Sequence, residues 1–192
     1  MKKQNAIPAI LVGLCLGLSA TTLAQSGERP ISPVEKGSVI FNVGVGVGTE
    51  YQNDNSSAFG TKAAIEVGMW RAGPGIITIG AQAGGSFSNR SFTNNNYSDY
   101  KSNTFVVAAR SAWHHGWNIS GLDTYGGLSG GAGFHRYNYL NKDGFRITQN
   151  EVIPVVGVFI GASYFFTPTF GVNIEAGHDI TQVQGGIVLK IK

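Results

Sequence analysis

Cysteine occurs once in this chain, at Cys15. Everything after it is therefore closed to disulfide formation, thiolate metal ligation and cysteine nucleophilic chemistry. Charge is scarce too: Asp, Glu, Lys and Arg make up 13% of the residues. There is no basic stripe, and setting aside Lys2 and Lys3 leaves 12 basic against 11 acidic residues. That balance argues against a nucleic-acid partner. Past Leu18 no apolar run approaches the roughly 18–20 residues that a membrane-crossing helix needs. A disulfide-stapled domain, a nucleic-acid binder and a helical membrane protein are thus all disfavoured. What the chain has in quantity is glycine, 28 residues of it, in places at alternate positions, as at Gly44, Gly46 and Gly48.

The first 24 residues read as a cleaved signal peptide. Lys2 and Lys3 give a basic start, Ala6 to Leu18 an apolar run, and Thr22-Leu23-Ala24 small residues at both positions a signal peptidase reads, with cleavage between Ala24 and Gln25. A lipoprotein signal would want a small residue before its Cys, and Leu14 is bulky. Residues 25–36 are polar, with Pro30 and Pro33, and read as an extended periplasmic lead-in. Residues 37–192 form the single remaining domain.

That domain alternates. Val39, Phe41, Val43, Val45 and Val47 share one face of an extended segment, while Asn42, Gly44 and Gly46 lie on the other, with Gly48 following. Soluble sheets bury their apolar face; here the second face is so small that it suits the crowded inside of a narrow closed sheet, with lipid outside. Eight such strands are expected: Gly37 to Tyr51, Thr61 to Trp70, Ile76 to Ser88, Asn103 to His114, Asp123 to Tyr137, Glu151 to Phe165, Thr169 to His178 and Thr181 to Ile191. The fifth is too Gly-rich for its facing to be assigned. Glycines or small polar residues recur on the second face, as Gly68, Gly80, Gly84, Gly171 and Gly177. The predicted fold class is all-β, an eight-stranded antiparallel up-and-down transmembrane barrel, whose interior is just wide enough for side chains to fill.

Tight turns at Arg71–Gly75 and Phe166–Pro168 alternate with longer polar loops such as Asn89 to Ser102 and Asn138 to Asn150. This is the pattern of short periplasmic turns and longer outer loops, with both termini at the short-turn end. His115 to Leu122 is long for a periplasmic turn and His178 to Ile180 short for an outer loop. Trp70, Trp113 and Trp117, with Phe165, Phe166 and Phe170, are expected to form an aromatic girdle at the periplasmic boundary; Tyr51, Phe87, Tyr100 and Tyr137 are expected to form another at the outer one.

With the Val-Gly alternation of the first strand, the segment Tyr164-Phe165-Phe166-Thr167-Pro168-Thr169-Phe170-Gly171-Val172, the strand end Glu175-Ala176-Gly177-His178 and the closing Gly185-Gly186-Ile187-Val188-Leu189-Lys190-Ile191-Lys192, the chain resembles the small eight-stranded outer-membrane β-barrel proteins of the OmpA/OmpX type. The resemblance implies an integral protein of the bacterial outer membrane. Its partners would be outer-membrane lipids and lipopolysaccharide, and the barrel-assembly machinery during insertion. The family usually ends on an aromatic residue that this machinery reads; this chain ends Ile191-Lys192.

Glu66, Arg110, Glu175 and Lys190 project to the expected interior, two acids against two bases, and mutual pairing is the natural solution for charges in a narrow barrel. The network is read as a plug, with an ion-pair gate of a small pore as its rival. Some eight-stranded barrels modify lipid A with a His, a Ser and a carboxylate. His178 and Asp179 with Ser88 could be drawn that way, but adjacent strand residues face opposite sides and no nucleophile motif accompanies them. His114-His115 and His135 read as interface or loop residues, with no third ligand for a metal. The expectation is no catalytic residue, no metal and no cofactor, in a monomer of structural or surface role. Its best candidates for contact with the outside are Phe92, Asn95, Tyr97 and Tyr100 of the loop from Asn89 to Ser102. A soluble lipocalin-like carrier is disfavoured because the second face carries Glu66, Gln82, Arg110, Asn173, Glu175 and Gln184, and because no Gly-x-Trp signature opens the first strand.

Overall fold

A computed structural model describes residues 32–48, 58–90, 100–140 and 145–191. Ala24 and Gln25, Tyr51, and the loop residues Phe92, Asn95 and Tyr97 lie outside the described residues. The alternation closes as expected into an antiparallel barrel of β1 (Val39–Val47), β2 (Ala58–Ala72), β3 (Gly75–Arg90), β4 (Tyr100–Gly116), β5 (Leu122–Leu140), β6 (Arg146–Phe165), β7 (Phe170–Gly177) and β8 (Val183–Ile191). Each strand pairs with its chain neighbours, and β1 closes on β8 from Val39↔Ile191 to Val47↔Val183. The seam is narrow at Gly44↔Gly186, where glycine faces glycine.

Through the middle of every strand the outward positions are mostly apolar, while the inward positions are mainly small or polar, with apolar side chains such as Ile40, Val106, Val155 and Phe159 among them. Val45 is 66% exposed, Leu128 62% and Val156 79%, whereas Glu66 and Thr78 are fully buried. The Gly-rich β5 resolves to the same alternation, with Asp123, Tyr125, Ser129 and His135 inward and Leu128 and Phe134 outward. A bulge between Gly68 and Trp70 gives β2 an extra residue, so that Met69 and Trp70 are both exposed.

Strand lengths differ from the expectation in one consequential way. β5 and β6 run 19 and 20 residues, against 9, 8 and 9 for β1, β7 and β8. At the long-loop end the added residues are polar, such as Arg146, Thr148, Gln149 and Asn150, so no apolar alternation announced them. The result is a tall wall beside a low rim. β6 pairs with β7 only from Phe159 to Phe165, with one further bond from the His178 N–H to the Val158 carbonyl. From Arg146 to Val156 its edge has no strand partner among the described residues. In an antiparallel sheet a residue's N–H and C=O point to the same side, alternating along the strand. The bond to Val158 therefore places Val156, Pro154, Val152, Asn150 and Thr148 with their backbone groups toward the open edge. Pro154 has no N–H to offer there.

At the short-turn end, Gly73 takes a positive φ of 60° in the two-residue turn with Pro74. The β4–β5 turn is shorter than the sequence suggested, because β4 extends through Gly116 and leaves only residues 117–121. The end of the lead-in folds back into this mouth. Val34 is buried with Ile40, Ile76, Phe165 and Val188, the Gly37 N–H donates to the Gly68 carbonyl, and Lys190 Nζ donates to the Pro33 carbonyl at 2.6 Å.

Candidate functional site

The interior is layered along the barrel axis. At the short-turn end lies the apolar cluster around Val34. Above it runs a chain of ionisable side chains. Asp123 Oδ2 is 2.7 Å from His114 Nδ1, and His114 Nε2 is 3.6 Å from Glu66 Oε2. Arg110 Nε lies 3.0 Å from Glu66 Oε1, while its terminal nitrogens donate to Glu175 Oε2 and Gln82 Oε1, each at 3.0 Å. The Arg110 guanidinium also stacks over the Phe159 ring at 4.0 Å. Tyr125 Oη donates to the same Glu175 oxygen at 3.0 Å, and Thr78 Oγ1 to Glu66. Lys62 Nζ pairs with Glu175 and, at 2.9 Å, with Asp179 Oδ2. A second apolar layer of Val106, Ala108, Val155 and Ile180 lies above. Beyond it, at the foot of the wall, Ser102 Oγ and Thr104 Oγ1 lie 2.8 and 2.9 Å from the two ring nitrogens of His135.

Glu66, Arg110 and Glu175 thus meet at the centre. Lys190 does not join them: β8 carries it to the short-turn mouth, where it holds the lead-in at Pro33, with its ammonium 5.7 Å from the Phe165 ring. The second base of the central network is Lys62, which pairs with Glu175. That residue was legible, since it shares a face of β2 with Ala64 and Glu66. His114 likewise shares the face of Arg110 and Ala112. Asp123 and Tyr125 were hidden by the ambiguous facing of β5.

Asp179 was the least accessible to sequence reasoning, because it belongs to a turn. The short β7–β8 connection folds Asp179 and Ile180 into the loop-end mouth, where both are buried. Burial alone would raise the Asp179 carboxyl. The Lys62 ammonium, the Ile180 N–H and the Gln82 amide outweigh it and hold the group below the ordinary aspartate range. A depressed folded value means that the stabilisation is complete above the unfolded value of about 3.9 and fades as pH falls through the folded one. Asp179→Asn is therefore expected to lower stability at neutral pH and to reduce the loss that the native protein suffers on acidification below about pH 4. Urea unfolding followed by tryptophan fluorescence at pH 7 and pH 3 reads both effects.

Around the outside, Trp70, Trp113, Trp117, Phe166 and Phe170 are exposed at the short-turn end. The Trp113 indole N–H donates to the Ala72 carbonyl at 3.0 Å. Phe165 corrects the expectation: it turns inward into the Val34 cluster, because it alternates with Tyr164 and Phe166, and Tyr164 takes the outward place. At the other end Phe87 is exposed, its ring 5.5 Å from that of Phe59. Tyr100 and Tyr137 sit near the loop ends of β4 and β5; their side chains lie outside the described residues.

The histidines are dispersed. His114 is inside the ion chain; His115 faces outward between Trp113 and Trp117, with ring centroids at 5.4 and 4.8 Å. His178 is exposed, while Asp179 turns inward to Lys62, so the pair is not arranged as an acid–base couple. Ser88 lies near the loop end of β3 with its side chain outside the described residues. Among the described residues no group of three His, Cys, Asp or Glu is disposed to hold a metal ion.

No protein-family model matches the chain, and no curated protein matches it in sequence. Among solved structures it is similar to Ail, the attachment invasion locus protein of Yersinia pestis, in complex with the heparin analogue sucrose octasulfate (14% identity, 81% of this chain and 96% of that one, TM-score 0.46). It is similar to Neisserial surface protein A (11% identity, 81% and 95%, TM-score 0.47). It is also similar to the N-terminal β-barrel domain of Pseudomonas aeruginosa OprF (14% identity, 81% and 95%, TM-score 0.36).

Proposed function

We propose that this is an integral protein of a bacterial outer membrane, with a structural and surface-contact role and no open channel. The observation that carries the membrane assignment is the outward apolar belt around all eight strands, which water would not tolerate at this extent. Two apolar layers bracket an ion chain in which Arg110 donates through both terminal nitrogens and pairs with Glu66 beside its Nε. That arrangement supports a plug over a gate, because conduction would need both layers and the ion pairs to part together.

Among the described residues, the wall is the part that stands open to other molecules. Its β6 tip from Arg146 to Val152 offers unpaired backbone groups to an extended segment of a ligand, in the manner of strand addition. Cells displaying the protein are expected to bind immobilised matrix proteins or host-cell surfaces more than cells lacking it. A Thr148→Pro, Asn150→Pro variant, stripped of two edge donors, is expected to lose most of that excess. Equal adhesion with and without the protein would overturn the surface-contact role. Release of the protein from membranes by salt alone would overturn the membrane assignment, and steady single-channel conductance in a planar bilayer would overturn the plug.

A further inference from the structure

On the outward face of β4, β5 and β6 the register stacks four cross-strand rows. The uppermost is Asn103–Arg136–Asn150; next come Phe105–Phe134–Val152, then Val107–Ala132–Pro154, then Ala109–Gly130–Val156. All but Ala132 are exposed, and Ala132 is half-buried. Arg136 has no hydrogen-bond or ion-pair partner among the described residues, and on this face of the three strands, from Asn103 and Arg136 down, there is no Asp or Glu. A guanidinium with no partner among the described residues thus stands directly above aromatic rings, flanked by two amides.

Gly130 is the second, independent sign. Inward glycines such as Gly80 and Gly186 are required by crowding, because a Cβ there would collide with a neighbouring backbone. Gly130 faces out, and a Cβ built on it meets nothing within 4 Å. Only Gly37 and Gly73 share that freedom among the described glycines, and both need their positive φ. The barrel does not need a glycine at 130. Its effect, with Ala132, is a shallow groove along β5 between Val107 and Ala109 on one side and Pro154 and Val156 on the other. With strands about 4.8 Å apart the groove is roughly 10 Å wide from β4 to β6, room for one acyl chain.

Resting on the membrane assignment above, we propose that this face is a binding site for an outer-leaflet lipid whose saccharide headgroup carries phosphate, the lipid A class. The Arg136 guanidinium takes the phosphate through paired N–H donors. Asn103 and Asn150 offer amides to sugar hydroxyls, Phe105 and Phe134 form the shelf at the headgroup boundary, and one acyl chain lies over Ala132 and Gly130.

The test is a titration of the full-length protein, folded in a zwitterionic detergent, with diphosphorylated lipid A, dephosphorylated lipid A and phosphatidylglycerol, read by native mass spectrometry. Phosphorylated lipid A is expected to bind most tightly. Arg136→Gln is expected to weaken it about tenfold, the size of one lost charge-assisted contact, with little effect on the dephosphorylated form. Gly130→Leu, which has space for its side chain, is expected to weaken both forms of lipid A, and Arg71→Gln at the opposite end neither. Unchanged binding in Arg136→Gln, or equal binding of phosphatidylglycerol, overturns the site. The membrane barrel is checked separately on the same samples by the mobility of unboiled protein. If compact mobility persists in every variant while the affinities do not differ, the site fails and the barrel stands; if boiled and unboiled wild type run alike, the barrel itself fails and the site with it.

Discussion

Arg110→Met is expected to cost about 3–5 kcal/mol of folding stability, the range for stranding buried charges by removing their partner. The size follows from what Arg110 holds. Glu66 and Glu175 are each within 3.0 Å of its guanidinium and both are buried. Methionine replaces the bulk and the contact with Phe159, but it leaves Glu66 with the Thr78 hydroxyl and His114, and Glu175 with Lys62 and Tyr125. Four carboxyls, Asp123, Glu66, Glu175 and Asp179, would then share Lys62 and His114. Adding Glu66→Gln to Arg110→Met is expected to restore part of the loss, since it removes one of the stranded charges. Urea titration in lipid vesicles, followed by tryptophan emission and by mobility on unboiled gels, measures both variants. A single Arg110→Met change within about 0.5 kcal/mol of wild type, the scatter of an ordinary surface substitution, would mean that the ion chain is not what holds the interior.

The second large effect is expected at the seam. A side chain at Gly186 would meet the Val43 carbonyl and the Gly44 Cα, both backbone atoms of the facing strand. Overpacking of a core commonly costs 1–3 kcal/mol, and more when, as here, the neighbour is backbone rather than a movable side chain. β1 cannot shift without breaking the ladder that closes the barrel, and open edges have no partner in hydrocarbon. Gly186→Val is therefore expected to leave most of the protein unable to reach the compact, heat-modifiable form. Gly44→Ala, whose Cβ would lie 3.0 Å from the Gly185 carbonyl oxygen, asks for only a small adjustment and is expected to fold at reduced yield. Equal yields for Gly186→Val and wild type would contradict the close approach.

The barrel was legible because alternation is a local signal that burial enforces strictly. Val39 to Val47 and Phe170 to Gly177 each reveal which side faces in, and the number of such segments reveals closure. The wall was not, because its residues beyond the apolar belt face water on both sides and no period survives; Arg146 to Asn150 look like loop until the pairing to Arg136–Leu140 is known. Three consecutive aromatics, Tyr164 to Phe166, announced a boundary, yet alternation obliges the middle one to turn in. Inside the barrel, Glu66, Arg110 and Glu175 could be placed by parity alone. Their partners could not all be. Lys62 was available on the same face as Glu66, but Lys190 has the same inward parity, and only its height in the barrel, level with Pro33, removes it from the centre. Asp179 comes from a turn, where parity says nothing.

Pro154 has a consequence beyond its own strand. Copies of a membrane protein share one plane and one orientation, so any open strand edge meets identical edges at every collision. On the membrane reading, a continuous row of donors and acceptors from Arg146 down to Val156 would let two walls zip together and carry the pairing into the bilayer, where breaking it would be costly. The missing donor at residue 154 interrupts that row just below the water-facing tip. Contacts at the tip are therefore expected to stay brief, and the gap to hinder lateral polymerisation.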